Sequence, residues 1–490
     1  MDSHHSEIRK QCQTANRDSE LAAEGHPDPL PLASLCLLNK YGRGLNRLNQ
    51  VRVQESECGA ESSRNGGNQL STVEVMKLAR ERLTYYFSQS SLDLPMLMSH
   101  NRGLSYEVGE YVELAQFLIA SAWKVANQQF DFARKLLRVF DHSCKIDGYP
   151  VERVLYYFSK ALRQRIDQDT GKFSLKAQVG DKSKAEEMIE AMITLHPAII
   201  AAQQKLPFSQ VTQFAGMQAI VEHLATAKKV HLVDLGVLNG LPCTILMHAL
   251  ADRIECPLEL LKITAVGTTS KQKIEETGKR LSTFANMINV PFSFDIVMVP
   301  EMTDLKEDMF KLEADEVVAV YSQWQLCTML AKPGCLEALM GVIKKLHPCV
   351  MVVTETEANT KGPDFIDRFF EALLFYSALF DCMEAFMDRC DQHRMTLESY
   401  FGLAIQDVTK ADGMDSTFTH AKIDYWRDFF RRFGIVETEL GSLSLHHADL
   451  IIKNFSCGSS CTVKMNQKCL FFEWKGTPLC SVSAWKFHQD

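Results

Sequence analysis

Residues 230–240 read VHLVDLGVLNG, and this stretch decides the fold. A mostly apolar run ends at Asp234, and two glycines, Gly236 and Gly240, follow four residues apart. A buried strand that ends in an acidic residue and turns through glycines into a helix is typical of cofactor loops in parallel α/β sheets. Pro242 stands where helices favour proline, in the first turn. The stretch therefore predicts the first strand, turn and helix of such a sheet.

Apolar strands and amphipathic helices alternate after residue 228. The strand-like runs are LLKITAVG, FSFDIVMV, EVVAVYS and HPCVMVVTE. Continuous apolar runs separated by helices predict a parallel sheet that is covered on both faces. The tail CLFFEWKGTPLCSVSAW predicts two further strands joined through residues 475–478, a hairpin. The predicted class is α/β and Rossmann-like: a methyltransferase-like, mostly parallel sheet with helices on both faces and a terminal antiparallel hairpin.

Three regions are predicted along the chain. Residues 1–70 are polar and contain glycine and proline, which predicts a disordered or loosely ordered segment. Within it, the run LASLCLLNKYGRGL has the composition of a helical or docking segment. Residues 71–228 carry helical periodicity and predict an all-helical cap. Residues 229–490 form the predicted α/β core.

Composition limits the function classes. The formal net charge is −8, so the chain lacks the excess of Lys and Arg that phosphate-driven nucleic-acid binding needs. No run approaches the roughly 18 apolar residues that cross a bilayer, and residues 1–10 have no signal-peptide core. An intracellular protein without membrane contact is expected. The 15 cysteines are scattered without zinc-ribbon spacing and predict free thiols.

The glycine loop matches a cofactor motif only in part. An S-adenosylmethionine loop reads Asp-x-Gly-x-Gly-x-Gly; Asp234, Gly236 and Gly240 match, but Leu238 replaces the middle glycine. The second strand ends without the carboxylate that would bind ribose, since no acidic residue lies between the start of this strand at Leu260 and Glu275. Three interpretations stay open: a structural turn, a non-catalytic ligand or partner pocket, and a methyltransferase. Asp234, Gly236 and Gly240 would bind cofactor only under the last of these.

Other chemistry-bearing residues give no catalytic set. His231 lies inside a predicted buried strand and is interpreted as a hydrogen-bonded core histidine, and His446-His447 as a surface pair. Glu355 and Glu357 alternate onto one side of a strand end. They are expected to anchor neighbouring loops, with acid–base work as the alternative. The sequence therefore predicts no enzyme, no cofactor and no metal site.

The strand of the opening stretch also carries a family resemblance. Val230-His231-Leu232-Val233-Asp234 resembles the VHIID motif of the plant GRAS family of transcriptional regulators. Further similar segments run in the family's order between about 71 and 488: KLPFSQVTQFAGMQAIVEHLATAKK, LLKITAVG, ETGKRLSTFANMINVPFSFDIV, VVTETEAN and FIDRFFEALLFYSALFD. The remaining family-motif residues are Pro291, Phe375 and Tyr376 of the PFYRE-like region, and Trp426, Trp474, Ser483, Ala484 and Trp485 of the SAW-like region.

The chain departs from the family pattern at two places. Leu403-Ala404 stands where the Arg-Glu pair of PFYRE is expected, and Leu235-Gly236 replaces the usual Asp-Phe after the VHIID aspartate. The carboxyl-terminal part is similar to the DELLA-type branch of the family. Residues 1–70 contain no DELLA or TVHYNP-like sequence, so gibberellin responsiveness is not carried over.

The resemblance implies a function that composition alone does not give. It implies a nuclear plant transcriptional regulator or co-regulator that acts through sequence-specific DNA-binding factors or other GRAS proteins. Homo- or heterodimers would form through the helical cap, the family's first leucine-rich region. Direct DNA contact has weak support, because the basic-aromatic run WRDFFRRF at 426–433 has the period of an amphipathic helix. The alternative is an S-adenosylmethionine-dependent methyltransferase or a decayed, methyltransferase-like ligand-binding protein.

Overall fold

A computed structural model of the chain describes residues 32–44, 47, 70–89, 105–172, 187–410, 418–456 and 458–487. Its centre is one nine-stranded sheet. The strands are β1 Lys229–Asp234, β2 Leu260–Gly267, β3 Phe292–Met298, β4 Val317–Gln323, β5 Val350–Thr356, β6 Ile435–Thr438, β7 Cys461–Asn466, β8 Cys469–Trp474 and β9 Thr477–Phe487.

The strand order is β3-β2-β1-β4-β5-β9-β8-β7, and β6 pairs with β9 beside this path. Strands β1 to β5 pair in parallel, whereas β9 lies antiparallel to β5, β6 and β8. Lys475 and Gly476 join β8 to β9 with φ angles of 46° and 77°, which a tight hairpin turn requires. The predicted fold class is confirmed. Strands β6 and β7 were not predicted, and both are short, with several exposed or half-buried positions.

Helices occupy both the amino-terminal half and the connections between strands. They are α1 Leu32–Gly42, α2 Thr72–Gln89, α3 Tyr106–Ala126, α4 Phe130–Leu137, α5 Phe140–Ser143, α6 Pro150–Asp169, α7 Pro197–Lys205, α8 Pro207–His223, α9 Leu241–Ala251, α10 Lys271–Met287, α11 Cys335–Lys345, α12 Phe365–Phe386, α13 Gln392–Val408, α14 Ile423–Arg431 and α15 Ser442–Asn454. Residues 187–193 are also helical. None of the helices in the described ranges is long and apolar enough to span a membrane.

Side chains of the sheet alternate between two cores. Along β1, Val230 and Leu232 belong to a large core that also contains the buried faces of α2, α3, α6 and α8. Val233 and Leu235 point to the opposite face, into a smaller core with α11 and α14. The helices that precede β1 and the sheet therefore share one continuous core.

A buried ion network ties the cap to the helices that follow β5. Arg153 of α6 contacts Glu398 of α13 at 3.0 Å and Glu384 of α12 at 2.9 Å. Arg394 adds a 2.5 Å contact to Glu398. The side chains of Arg153, Arg394 and Glu398 are fully buried, so each charge depends on its partners. This network fixes α6 against α12 and α13.

Candidate functional site

Asp234 ends β1 at the carboxyl edge of the sheet and closes the turn that follows. Its Oδ1 accepts a hydrogen bond from the Gly236 backbone N–H at 3.0 Å, and its Oδ2 accepts from the Cys243 thiol at 3.5 Å. Burial raises the pKa of the Asp234 carboxyl to about 6. Both of these contacts come from the loop and the helix α9 that follows it. The geometry fits a side chain that holds the turn.

The turn itself keeps a backbone conformation that favours glycine. Gly240 has φ of 79° and donates its N–H to the Val237 carbonyl at 2.9 Å. A Cβ at Gly240 would lie 2.9 Å from Cγ2 of Thr277 on α10. Leu238, which replaces the middle glycine of the cofactor motif, has φ of 46° despite its side chain. The loop therefore retains the shape of a glycine turn.

The N-cap residue of α9, Gly240, has no side chain, but the preceding Asn239 binds the first backbone N–H of the helix. The Asn239 Oδ1 accepts from the Leu241 backbone N–H at 3.1 Å. The Asn239 amide nitrogen donates to Oε1 of Gln203, on α7 of the cap, at 3.0 Å. Asn239 and Gln203 are both buried. In cofactor-binding folds a helix N-terminus at this position faces the ligand. Here it faces Gln203 of the cap, which binds Asn239.

The end of β2 is also filled by side chains. Gly267 is so tightly surrounded that a Cβ there would lie 2.6 Å from Cδ1 of Ile274 and 3.1 Å from the Met298 sulfur. This is the strand end at which a ribose-binding carboxylate is expected in a methyltransferase. The apolar side chains of Ile274 and Met298 surround Gly267 at this position instead of a carboxylate. Together with the capped α9 terminus, these residues do not fit S-adenosylmethionine, and no chemical step through it follows from the structure.

His231 lies inside β1, on the smaller-core face, within a buried polar network. One ring nitrogen contacts the Glu316 carboxylate at 3.0 Å and the other contacts the Thr264 hydroxyl at 2.7 Å. Lys262 lies 3.8 Å from the same glutamate. Burial, with the nearby lysine, lowers the pKa of His231. Both ring nitrogens of His231 have hydrogen-bond partners, and the imidazole lies within the core and not at the carboxyl edge of the sheet.

Glu355 and Glu357 lie on one face near the end of β5, as their alternation predicts. Glu355 accepts from the Cys327 backbone N–H at 3.2 Å, and Glu357 accepts from the Ile423 N–H at 3.3 Å. Burial raises the pKa of Glu355 to about 8 and that of Glu357 to about 7. Each carboxyl holds the start of a separate helical segment. The contacts are those of loop anchors.

The SAW-like residues lie in β9, next to β5. The Ser483 hydroxyl donates to the Val353 carbonyl at 3.3 Å and accepts from the Trp485 indole N–H at 2.9 Å. Trp485 packs edge-on against Phe430 of α14, with ring centroids 4.6 Å apart. Ala484 points to the opposite face, into the large core. The side chains of the triplet therefore pack on both faces of the sheet, Trp485 on one and Ala484 on the other.

The other family-motif residues are distributed over the scaffold. Trp474 ends β8 and packs against Phe386 at 5.9 Å. Phe375 and Tyr376 are buried in α12, and Pro291 is exposed beside the start of β3. The structure does not bring these residues together with Asp234 at one site.

Helix α14 contains most of the basic-aromatic run at 426–433. Trp426 and Phe430 are buried and stacked at 5.8 Å. Arg427 forms a bidentate pair with Glu437 at 2.9 and 3.1 Å and also reaches Asn466. Arg431 pairs with Asp428 at 2.8 Å. The rings of Trp426, Phe429 and Phe430 belong to the core and are therefore not available for stacking on a nucleic acid.

The interpretation of His446-His447 as a surface pair is wrong, whereas the apolar replacement at Leu403-Ala404 agrees with the structure. His447 is fully buried in α15, and burial lowers its pKa to about 4, so His446-His447 is not a surface pair; only His446 is exposed. Leu403-Ala404, at the expected Arg-Glu position, lies in α13, and Ala404 is part of the large core. No cluster of three metal-ligating side chains occurs within the described ranges.

Two long-range side-chain pairings could not be predicted from the sequence. Gln203 lies 36 residues before its partner Asn239, and Tyr41 lies 172 residues before its hydrogen-bond partner Gln213 of α8. Pairings over such separations leave no local pattern. The one available signal for Tyr41 is its place at the end of the run LASLCLLNKYGRGL.

The fold and the loop define a class of protein: a Rossmann-like, methyltransferase-type α/β scaffold with a helical cap, whose cofactor turn is retained and closed by its own side chains. Residues 114–486 match the GRAS domain family. The chain therefore belongs to the GRAS domain family, as its sequence motifs indicated.

Individual relatives agree with this assignment. DELLA protein RGL1 of Arabidopsis thaliana is 30% identical over 79% of this chain and 71% of that protein. DELLA protein 1 of Medicago truncatula is 29% identical over 77% of this chain and 64% of that protein. The crystal structure of SCL7 in Oryza sativa is similar with a TM-score of 0.65 at 26% identity, over 76% of this chain and 99% of the other. The match thus spans about two thirds of the length of the two DELLA proteins.

Proposed function

We propose that the chain is a plant GRAS-type transcriptional regulator that acts in the nucleus by binding sequence-specific DNA-binding factors or other GRAS proteins, without turnover of a substrate. The observation that carries the proposal is the family match over residues 114–486. The self-capped α9 terminus supports it, because Asn239 and Gln203 stand where a cofactor would be bound. The methyltransferase alternative lacks such support.

Partner contact is assigned to the helical cap. Helix α3 carries Tyr106, which is 90% exposed, and Trp123, which is 41% exposed. Large aromatic side chains supply much of the binding energy at protein interfaces. The net charge of −8 agrees with a regulator that obtains DNA specificity from its partner. Cap residues and not the basic-aromatic run of α14 are therefore expected to carry the contact.

Affinity capture from plant nuclear extract tests the proposal. The full chain is the bait, and captured proteins are identified by mass spectrometry. We expect proteins with sequence-specific DNA-binding domains or GRAS domains, and we expect the double variant Tyr106→Ala/Trp123→Ala to capture them at least about tenfold less well. Ile254→Ala is the matched control, since Ile254 is 90% exposed outside the cap.

Two results would contradict the proposal at different levels. Capture of no DNA-binding or GRAS protein by the wild-type chain would remove the regulatory function. Equal capture by the wild-type chain and the double variant would leave the function and remove the cap as its contact surface.

A further inference from the structure

Strand β3 ends the nine-stranded sheet, and in the described part of the chain its one neighbouring strand is β2. Two backbone hydrogen bonds fix the phase of this parallel pairing. The Leu261 N–H donates to the Pro291 carbonyl at 2.9 Å, and the Val299 N–H donates to the Gly267 carbonyl at 3.1 Å. Because alternate residues of a parallel strand bond to the same neighbour, the odd-numbered residues of β3 bond to β2.

The even-numbered residues of β3 turn their backbone groups away from β2. They are Phe292, Phe294, Ile296 and Met298. None of them is a proline, so each has one N–H and one C=O at the open edge of the sheet. Within the described ranges, no other backbone group bonds to them there. Strand β3 therefore has an unpaired edge over its full length, and another strand can add to such an edge.

The two faces of the sheet beside this edge differ in polarity. On one face, the side chains of the same four residues pack half-buried against the large core. On the other face, the Asp295 side chain is 33% exposed, and its carboxylate lies 3.9 Å from Nζ of Lys262. A strand that pairs with β3 would therefore contact an apolar stripe on one face and a carboxylate on the other.

The opposite end of the sheet carries a protective feature that β3 lacks. In β7 the Lys464 side chain is 60% exposed and pairs with Glu473 of β8 at 2.6 Å. Exposed lysines on an edge strand discourage the addition of a further strand. The sequence of β3, FSFDIVM, contains no Lys or Arg, and the nearest prolines, Pro291 and Pro300, lie outside it. The edge of β3 is thus open to pairing over seven residues.

The charge of Asp295 decides which kind of strand fits this edge. If two copies of the chain paired antiparallel through all four outward-facing residues, Phe294 would lie opposite Ile296, and Asp295 would lie opposite its own copy. Such a position is not hydrogen-bonded across the pair, so the two side chains would approach closely. Like charges directly opposite each other destabilise a strand pair. A strand with lysine or arginine at this position would instead form an ion pair with Asp295.

We propose that the edge of β3 binds an extended segment of a partner protein by strand addition. The segment carries Lys or Arg opposite Asp295 and apolar residues on both sides of it, opposite Phe294 and Ile296. In this mode of recognition, backbone hydrogen bonds supply the affinity and the alternating side chains supply the specificity. The surface belongs to the sheet and not to the cap, and the inference rests on the proposed function only for the partner's biological role.

A peptide titration tests the edge directly. The basic probe is the fluorescein-labelled peptide Gly-Ser-Val-Thr-Ile-Lys-Val-Thr-Ile-Ser-Gly, and the acidic probe has glutamate in place of the lysine. Each is titrated with the full chain and followed by anisotropy. We expect the basic probe to bind with a Kd of about 100 μM or below and the acidic probe at least about tenfold more weakly. No saturation by the basic probe up to about 300 μM chain, or equal affinity for both probes, would overturn the proposal.

A charge exchange tests the contact with Asp295. The variant Asp295→Lys should reverse the preference and bind the acidic probe at least about tenfold more tightly than the basic one. Asp131→Lys is the matched control, because it makes the same change of net charge at a side chain that is 99% exposed in the cap. It should keep the wild-type preference. If both variants shift the preference alike, the effect comes from net charge and the proposal is wrong.

The variant Ile296→Pro tests the backbone contact without removing a hydrogen bond to β2. The Ile296 N–H points to the open edge, and edge strands tolerate proline at such positions. We expect the variant, shown to be folded by circular dichroism, to bind the basic probe at least about tenfold more weakly. Unchanged affinity would overturn the proposal. So would a wild-type dimer that light scattering shows to dissociate in this variant, since the edge would then bind a second copy.

Residue-level hydrogen exchange of the wild-type chain gives a measurement that needs no variant. In the free chain, the amides of Ser293 and Asp295 should exchange more slowly than those of Phe294 and Ile296, because only the former bond to β2. The basic probe should then slow the exchange of Phe294 and Ile296. Unchanged exchange of these two amides at saturating probe would overturn the proposal. None of these assays contains a DNA-binding factor, so their failure is distinguishable from failure of the proposed function.

Discussion

The replacement Asp234→Asn separates a structural role of this residue from a role of its charge. Asparagine keeps the shape of the side chain, and its amide oxygen can accept the hydrogen bond that Oδ1 receives from Gly236. The charge, which is buried and has no cationic partner among its described contacts, is removed. If Asp234 only holds the turn, the variant folds and keeps its partners.

The size of the effect follows from the raised pKa. Burial moves the Asp234 pKa from 3.8 to about 6, and one pKa unit corresponds to about 1.4 kcal/mol. Because folding raises the pKa of this carboxyl, its protonated form contributes to the free energy of unfolding. This contribution is fully present below about pH 4 and is lost as the pH rises through about 6. Asparagine does not ionise, so the free energy of unfolding of the variant, relative to that of the wild-type chain, should rise by up to about 3 kcal/mol between pH 4 and pH 8.

Urea unfolding followed by circular dichroism at several pH values measures this difference. Asp131→Asn is the matched control, because the Asp131 side chain is 99% exposed, and its effect should stay within about 0.5 kcal/mol at every pH. If Asp234→Asn is less stable than the wild-type chain at pH 8 by more than about 1 kcal/mol, the Asp234 charge itself stabilises the fold and the purely structural role is wrong. A stability difference that does not change with pH would refute it equally.

Variants at three further positions test the edge and the second core. Gly240→Ala should lose about 1–3 kcal/mol of unfolding free energy, because φ is 79° and the new Cβ would meet Thr277; full stability in a melting experiment would contradict this. Glu355→Gln should gain about 2–4 kcal/mol relative to wild type between pH 5 and pH 8, since its pKa is raised to about 8; a flat difference in urea titrations would exclude the buried acid. Trp485→Ala should lose about 3–5 kcal/mol and Trp485→Phe less; equal urea midpoints for the two would deny that Trp485 packs on Phe430.

Four of the parallel strands could be predicted because β1, β2, β4 and β5 are largely buried and apolar. Strand β3 is half-buried, but its second half is the apolar run Ile296-Val297-Met298. Strands β6 and β7 escaped prediction because an exposed or half-buried strand shows no continuous apolar run. Their pairing with β9 and β8 is determined by tertiary contacts.

The candidate site could be predicted only where its chemistry is local. The pattern of Asp234, Gly236 and Gly240 indicated a turn, and the turn has that shape. The residue that binds Asn239 of this turn, Gln203, comes from another helix and leaves no mark in the loop sequence. Glu355 anchors the segment at Cys327 through a backbone hydrogen bond. The alternation in β5 predicts which face Glu355 lies on, but not which segment it contacts.

We expect the loop after β1 to be a self-capped scaffold that binds no cofactor. This expectation can be tested by calorimetric titration of the full chain with S-adenosylmethionine and with S-adenosylhomocysteine. No saturable heat is expected at ligand concentrations up to about 1 mM. Saturable binding with a Kd of about 1 μM that Asp234→Ala abolishes would instead show a cofactor site and restore the methyltransferase alternative.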